Sequence, residues 1–414
     1  MKPNLSIKSQ SYKRKMSPVR QIMMYAAPTY FQTIGLRQED VISFAGGWVN
    51  HQAPYGLKKA YKAIISDNEL MHKSGGYSPT SGMQGCKEAL VRYEKHVYKV
   101  TGLEPHHITI GSNSTQLLFD LMSVLLDPGD KVLLPDPSYC NYPSQITTVI
   151  DAKIIRFPVV DVTTWSYNAD KYIKEFASYI HKERPKVVLL ASPDNPTSQI
   201  ISHSFVETAH EAVTKIGGTL IVDFAYKDII FTDKVPDYFS WGPTDNFLTV
   251  HSNSKWSRSL GRRLGWIEAS EEIVQSLDSV QSSTILSPDT LHQMALESYL
   301  NEAINDNTLM PYLAKASADY KKAAGCTVEA ITKHMAVPCF TPQGGLYTCI
   351  NVGLDGATFV DKVLREAGVL FVPGWGFGKT MTNAVRISFG PLVYDLDKIE
   401  EGIKRASSYI NKQS

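Results

Sequence analysis

With 42 Lys and Arg against 41 Asp and Glu, the 414-residue chain is almost neutral, which leaves neither the basic footprint of a nucleic-acid binder nor a polybasic membrane patch. A hydrophobic share of 43% and a charged share of 20% fit a soluble globular protein too long for one small core, so two packed units or one large α/β body is expected. The five cysteines (Cys86, Cys140, Cys326, Cys339, Cys349) are odd in number and lack a CxxC pair, which argues against a disulfide framework or a zinc ribbon and for a reducing compartment.

Residues 1–45 read as an arm and the first small-domain segment, polar and basic until Ile42-Ser43-Phe44-Ala45-Gly46-Gly47. The first twenty-one residues have no apolar run behind them and so do not read as a secretory signal. No window approaches the apolar length of a membrane span, and the expected location is the cytoplasm. A short helix is predicted over Met16–Ile22, with Ser17 as N-cap and Pro18 in its first turn. Residues 46–310 are expected to form the large domain. There, helical windows alternate with short β-branched runs such as Lys131–Leu134, Lys186–Leu190 and Thr219–Asp223. Apolar runs of that length separated by helices predict buried parallel strands with crossover helices. From about residue 311 to 414, glycine-rich turns (Gln343-Gly344-Gly345, Pro373-Gly374-Trp375-Gly376) and separate short strands predict a smaller α/β lobe, ending in a helix from Asp395.

Five segments carry candidate chemistry. In Ile110–Leu118 an apolar run meets Gly111-Ser112-Asn113 and then a helical pattern; helix-start amides bind phosphate, although Ser112 as a plain N-cap needs the same residue. After Lys131–Leu134, a proline-stiffened turn ends in Tyr139, whose ring could stack on a flat heterocycle or cap the core. Asn195 stands between Pro193 and Pro196 directly after a strand, so its amide points reproducibly and can donate to a phenolate; an ordinary turn is the alternative. Asp223 ends a continuous apolar strand, with Tyr226 three residues on. A carboxylate there is costly unless paired, and that strand end is where open α/β sheets keep ligands. A protonated pyridine nitrogen would satisfy it, and no histidine or cysteine cluster accompanies it to suggest a metal. Last, HSNSKWSRSLGRRLGW (251–266) sets Lys255 between small hydroxyl residues, with an arginine pair close behind. A lysine amine can form a Schiff base with a carbonyl cofactor, and hydroxyl and guanidinium groups can hold its phosphate; a basic surface turn would read the same in isolation.

Taken in order, these segments resemble the fold type I pyridoxal phosphate enzymes, specifically the class I/II aminotransferase family, from about Ile42 to the C-terminal helix. The family pattern is matched by Asn195-Pro196-Thr197, by Asp223 with Tyr226, by Ser252-Asn253-Ser254-Lys255 with Arg263, and by Val385-Arg386-Ile387-Ser388-Phe389. The resemblance implies an aspartate-aminotransferase-like α/β fold: a large domain with a mostly parallel central sheet flanked by helices, and a smaller domain from both chain ends. It implies pyridoxal 5'-phosphate as cofactor, with Lys255 as Schiff-base lysine and proton shuttle and Asp223 on the pyridine nitrogen. Asn195 and Tyr226 would bond the phenolic oxygen, and Tyr139 would stack on the ring. Ser112, Asn113, Ser252, Ser254 and Arg263 would surround the phosphate. Tyr77 would reach the phosphate of a neighbouring subunit in a homodimer with shared active sites. Arg386, with Asn195 and Gly47, would bind the substrate, its guanidinium fork clamping the α-carboxylate.

The expected reaction moves an amino group between an L-amino acid and a 2-oxo acid. The alternative is elimination, decarboxylation or oxidation of an amino acid on the same scaffold; a non-catalytic sensing relative is a third reading. Two departures stand out. Ser198 occupies a position where the family usually has glycine, and Arg262 beside Arg263 leaves two neighbours to choose between for the phosphate; spacing from Lys255 favours Arg263. Trp256 and Arg258 are expected to be packing. Trp48 and the arm residues Tyr25, Tyr30 and Phe31 are open between the substrate side and the core or dimer interface.

Overall fold

The computed structural model describes residues 18–147 and 150–410, together with Ser9. The chain's seven main strands are β1 (Ile108–Gly111), β2 (Lys131–Asp136), β3 (Lys153–Pro158), β4 (Val187–Ala191), β5 (Thr219–Asp223), β6 (Phe247–Ser252) and β7 (Gly265–Glu268). They form one sheet in the order β1-β7-β6-β5-β4-β2-β3. Only β7 runs antiparallel to its neighbours, so the carboxyl ends of the other six open on one edge. The apolar runs expected to be parallel strands are β2, β4 and β5.

These strands read as unbroken apolar runs because both faces are covered. Leu134, Leu189, Ile221 and Leu248 pack under α2 (Ser114–Leu125) and the helix Glu271–Thr284. The alternate residues Leu133, Val188, Leu190, Leu220 and Val222 pack under the helices Ile173–Glu183 and His203–Lys215. Each such side chain contributes roughly 1.5–3 kcal/mol by leaving water, and the period-two alternation divides that gain between two layers.

A second, antiparallel sheet is built from β8 (Tyr347–Asn351), β9 (Val372–Pro373) and β10 (Ala384–Ser388), in the order β8-β10-β9. Both ends of the chain build this lobe: Ile42–Ser43 pairs in parallel with Val369–Leu370, and Phe31, Ile42 and Phe44 share its core with Val385, Ile399 and Ile403. The helix α3 (Leu309–Ala330) begins against the large body through Leu309 and Leu313 and ends in the small-lobe core through Tyr320, Ala323 and Ala324. One helix therefore crosses the boundary expected near residue 311. The short arm helix, α1 (Pro18–Tyr25), begins at Pro18; its expected N-cap, Ser17, lies outside the described residues. Phe31 belongs to the small-lobe core, whereas Tyr25 stays exposed with its ring edge-on to Tyr30.

Candidate active site

The carboxyl edge of the large sheet holds a cavity of about 160 Å³, open to solvent, at the place where the strand order reverses around β4 and β2. Residues from five strand ends line it: Asn113 after β1, Tyr139 after β2, Asn195 after β4, Asp223 on β5 and Ser252 on β6, joined by Tyr226, Ser254, Lys255 and Arg263. The sheet register sets their level, because Gly265 of β7 pairs with Gly111 on one side and Ser252 on the other. Gly265 has no room for a side chain: a Cβ there would sit 2.7 Å from the amide nitrogen of Ser114, so the glycine lets the N-terminus of α2 close on the cavity.

Asp223 is 7% exposed; one carboxylate oxygen accepts from the Tyr142 hydroxyl at 2.8 Å and the other from the Ala225 amide at 2.9 Å. Burial pushes its pKa up, against those two bonds and nearby Lys255, and among the described residues no cation pairs with it directly. That is the environment in which a protonated ring nitrogen would be held.

Lys255 donates to the Gly47 carbonyl at 2.7 Å, and its ammonium lies 5.4 Å from the Tyr226 ring centre. Enclosure, with Arg386 and Arg263 near and Asp223 only partly compensating, lowers its amine to about 8. The neutral, nucleophilic form is therefore accessible close to neutral pH.

Arg386, on β10, is 3% exposed. It donates to Asn195 Oδ1 at 2.9 Å and to the Ala45 carbonyl at 3.0 Å, its guanidinium lies over the Tyr347 ring at 4.2 Å, and its Nε has no partner among the described residues. Among the described residues no carboxylate pairs with it. A buried guanidinium left with free donors is a ready fork for a carboxylate ligand. The bond from Arg386 also fixes the Asn195 amide, occupying its oxygen and leaving its NH2 for the cavity.

The cavity end expected to hold phosphate is walled by the start of α2 and by Arg263. The N-cap of α2 is Asn113, which accepts from the Gln116 amide, and the cavity wall there is Asn113, Ser114 and Thr115. Ser112 stands outside that wall, its amide donating to Gln116 Oε1 at 2.9 Å. Arg263, in a left-handed conformation (φ +55°), lines the cavity; Arg262 turns away and places its guanidinium 4.3 Å from the Tyr61 ring centre. Tyr77 is 86% exposed and lies outside its own chain's cavity. Trp256 is buried and stacks on Tyr93, and Arg258 donates to Asn50 Oδ1. The half-exposed Trp48 lays its ring over Gly46.

Sequence reading missed Ser114, Thr115, Tyr142, Leu260 and Tyr347. No local signal links Tyr142 to Asp223 or Tyr347 to Tyr226, which meet only through the fold. It also missed a buried charged cluster around His251, where Glu94 and Glu268 approach different ring nitrogens and Lys227 sits 2.7 Å from Glu94. With Lys227 already beside Glu94, that cluster reads as an internal polar network.

A profile of the family described as aminotransferase class I and II matches residues 40–404. An aspartate aminotransferase of Pyrococcus horikoshii is 22% identical over 376 residues, covering 89% of this chain and 92% of its own length. An aromatic-amino-acid aminotransferase of Thermococcus litoralis is 24% identical, covering 91% and 93% respectively. Among solved structures, an aspartate aminotransferase from Thermus thermophilus with maleate superposes with a TM-score of 0.83 at 21% identity, covering 98% of this chain and all of that one, which establishes the shared fold.

Proposed function

This chain belongs to the aminotransferase class I and II family, and on that premise we propose that its cavity binds pyridoxal 5'-phosphate and passes an amino group from an L-amino acid to a 2-oxo acid. The chain is a transaminase; the cofactor and the part played by each residue are our assignment. The carrying observation is that Asp223 and Arg386, two buried groups without ionic partners among the described residues, stand within electrostatic reach of a lysine amine lowered to about 8.

The residues present fit the cofactor. Asp223 is an acceptor without a paired cation among the described residues, and Asn113, Ser114, Thr115, Ser252, Ser254 and Arg263 gather a helix start, hydroxyls and a guanidinium at the other end, as a phosphate requires. When bound, pyridoxal phosphate supplies an aldehyde that an amine can capture and a ring that takes up the electrons of a Cα–H bond. Arg386 would hold the substrate carboxylate through the donors it does not spend on Asn195 and Ala45. Asn195 NH2 and the Tyr226 hydroxyl would donate to the phenolic oxygen, and Tyr139 would lie against the ring. Lys255, released from its covalent role, would take the proton from Cα and return it, as an amine near pH 8 can do in both directions. The hydroxyl of Tyr142 keeps the Asp223 carboxylate aimed.

The exposed Tyr77 supports a homodimer in which it completes the phosphate site of the partner subunit, with Ser112 a supporting residue behind the wall. The same proposal takes residues 46–310 as the cofactor-binding body, with the small lobe from 1–45 and 311–414. It places the enzyme in the cytoplasm, where cysteines remain thiols; no helix among the described residues is long and apolar enough to cross a membrane.

The test is the visible absorbance of the protein loaded with pyridoxal phosphate while L-amino acids are added singly without an acceptor. Transamination bleaches the band once and releases one equivalent of 2-oxo acid, naming the donor. Continued turnover without an acceptor, releasing ammonia, carbon dioxide or peroxide, would replace transamination with another reaction. A Lys255→Ala protein that still transaminates would remove the proposal altogether.

A further inference from the structure

Tyr347 begins β8 and lies outside the cavity wall, yet it touches two residues that the proposed function uses. Its hydroxyl is 2.5 Å from that of Tyr226, the rings meeting edge to face at 5.6 Å, and its face carries the Arg386 guanidinium at 4.2 Å. Its backbone is pinned, since the Tyr347 amide donates to Ser198 Oγ at 2.9 Å. Ser198 is the residue that stands where the family pattern usually has glycine, and it keeps a left-handed backbone (φ +57°) while adding this acceptor. Space is kept as well: a Cβ on Gly47 would come within 2.9 Å of the Tyr347 oxygen.

A pair of hydroxyls shares one hydrogen bond, and its direction matters here. The permanent cation beside Tyr347 stabilises charge on its oxygen, which makes it the better donor of the two. The acidities agree: both phenols are raised by burial and drawn down by Arg386, but the shared bond lowers Tyr347 and raises Tyr226. With Tyr347 donating, the one proton of Tyr226 is free to point into the cavity. With the bond reversed, Tyr226 would spend its proton on Tyr347 and present a lone pair to the cofactor.

Resting on the cofactor reading above, we propose that Tyr347 is a positioning residue: its hydroxyl donates to Tyr226 and thereby turns the Tyr226 proton toward the phenolic oxygen of bound pyridoxal phosphate. A hydrogen bond that is itself accepting another is strengthened by polarisation, so the ionised phenolic oxygen gains from a residue it never touches.

The test is a pH titration of the visible absorbance of the loaded protein, with kcat and KM measured alongside. Tyr347→Phe should move the absorbance midpoint upward by about 0.3 unit, the size expected from losing ~10–30% of one charge-assisted hydrogen bond. KM for the amino donor should stay within about twofold, because the ring remains beneath Arg386. Tyr226→Phe should shift the midpoint further in the same direction, and adding Tyr347→Phe to it should change nothing more. An unshifted or lowered midpoint in Tyr347→Phe, or an equal added shift in the Tyr226→Phe background, overturns the proposal. Ser198→Gly keeps the backbone and loses only the pin, so it should give a smaller upward shift; it decides the matter if Tyr347→Phe does not fold, and no shift there counts against the proposal. A wild-type protein that takes up no pyridoxal phosphate refutes the cofactor reading itself, which separates that failure from this one.

Discussion

Replacing Arg386 by leucine separates a ligand clamp from a structural charge. In the folded protein two of its donors serve Asn195 Oδ1 and the Ala45 carbonyl, while Nε has no partner and no carboxylate pairs with it among the described residues. A substrate carboxylate held by two charge-assisted hydrogen bonds of roughly 1.5–3 kcal/mol each would gain about 3–6 kcal/mol, so kcat/KM should fall by about 10²–10⁴ in Arg386→Leu. Stability should move little. Two orphaned acceptors cost about 1–3 kcal/mol each, but an unpaired buried cation is removed, which returns several kcal/mol. Arg386→Lys keeps the charge and loses the fork, and an intermediate loss of about 10–100-fold is expected. The assay pairs steady-state kinetics with thermal unfolding in the presence of a 2-oxo acid. At about 100 times Kd the acid should stabilise the wild type by about 2.7 kcal/mol and the leucine variant by almost nothing. A variant that unfolds far below the wild type, or keeps kcat/KM within tenfold, would refute the clamp.

The Lys255 amine, lowered to about 8, should react with an amine-selective acylating reagent in cofactor-free protein with a midpoint near pH 8; a midpoint near the ordinary lysine value of 10.5 would contradict its environment. Arg386→Leu should move that midpoint upward, since the Arg386 charge is among the causes of the lowering. Arg263→Ala should weaken pyridoxal phosphate binding by about 10–100-fold while Arg262→Ala, remote over Tyr61, changes it less than threefold, as measured by equilibrium titration. Burial raises the Glu94 carboxyl to about 8, above its ordinary 4.5, despite Lys227. The folded chain therefore holds that proton more tightly than the unfolded one, and the stability this supplies is complete below about pH 4.5 and is lost as pH rises through about 8. Glu94→Gln stays neutral, so its urea midpoint should fall less steeply than the wild type's between pH 5 and 8.5; equal slopes would show that Glu94 does not titrate there.

What the chain made legible on its own was whatever depends on near neighbours. Apolar runs ending in Leu134, Leu190 and Asp223 gave buried strands, and proline-flanked Asn195 gave a constrained turn, because strand length and turn chemistry are properties of a few consecutive residues. The resemblance supplied the order of Asn195, Asp223, Tyr226, Lys255 and Arg386; the first four line one cavity, and the fifth, Arg386, bonds to Asn195. The division between Arg262 and Arg263 needed the backbone angle at Arg263, which turns one side chain inward and its neighbour onto Tyr61. The start of α2 needed the strand pairing that places Gly265 against Ser114. Tyr142 on Asp223, Tyr347 on Tyr226, and Lys227 on Glu94 join residues about 80 to 135 positions apart. No local preference encodes such pairs. They exist because sheet order and lobe packing bring distant side chains into low-dielectric contact, where a polar group must find a partner or be costly.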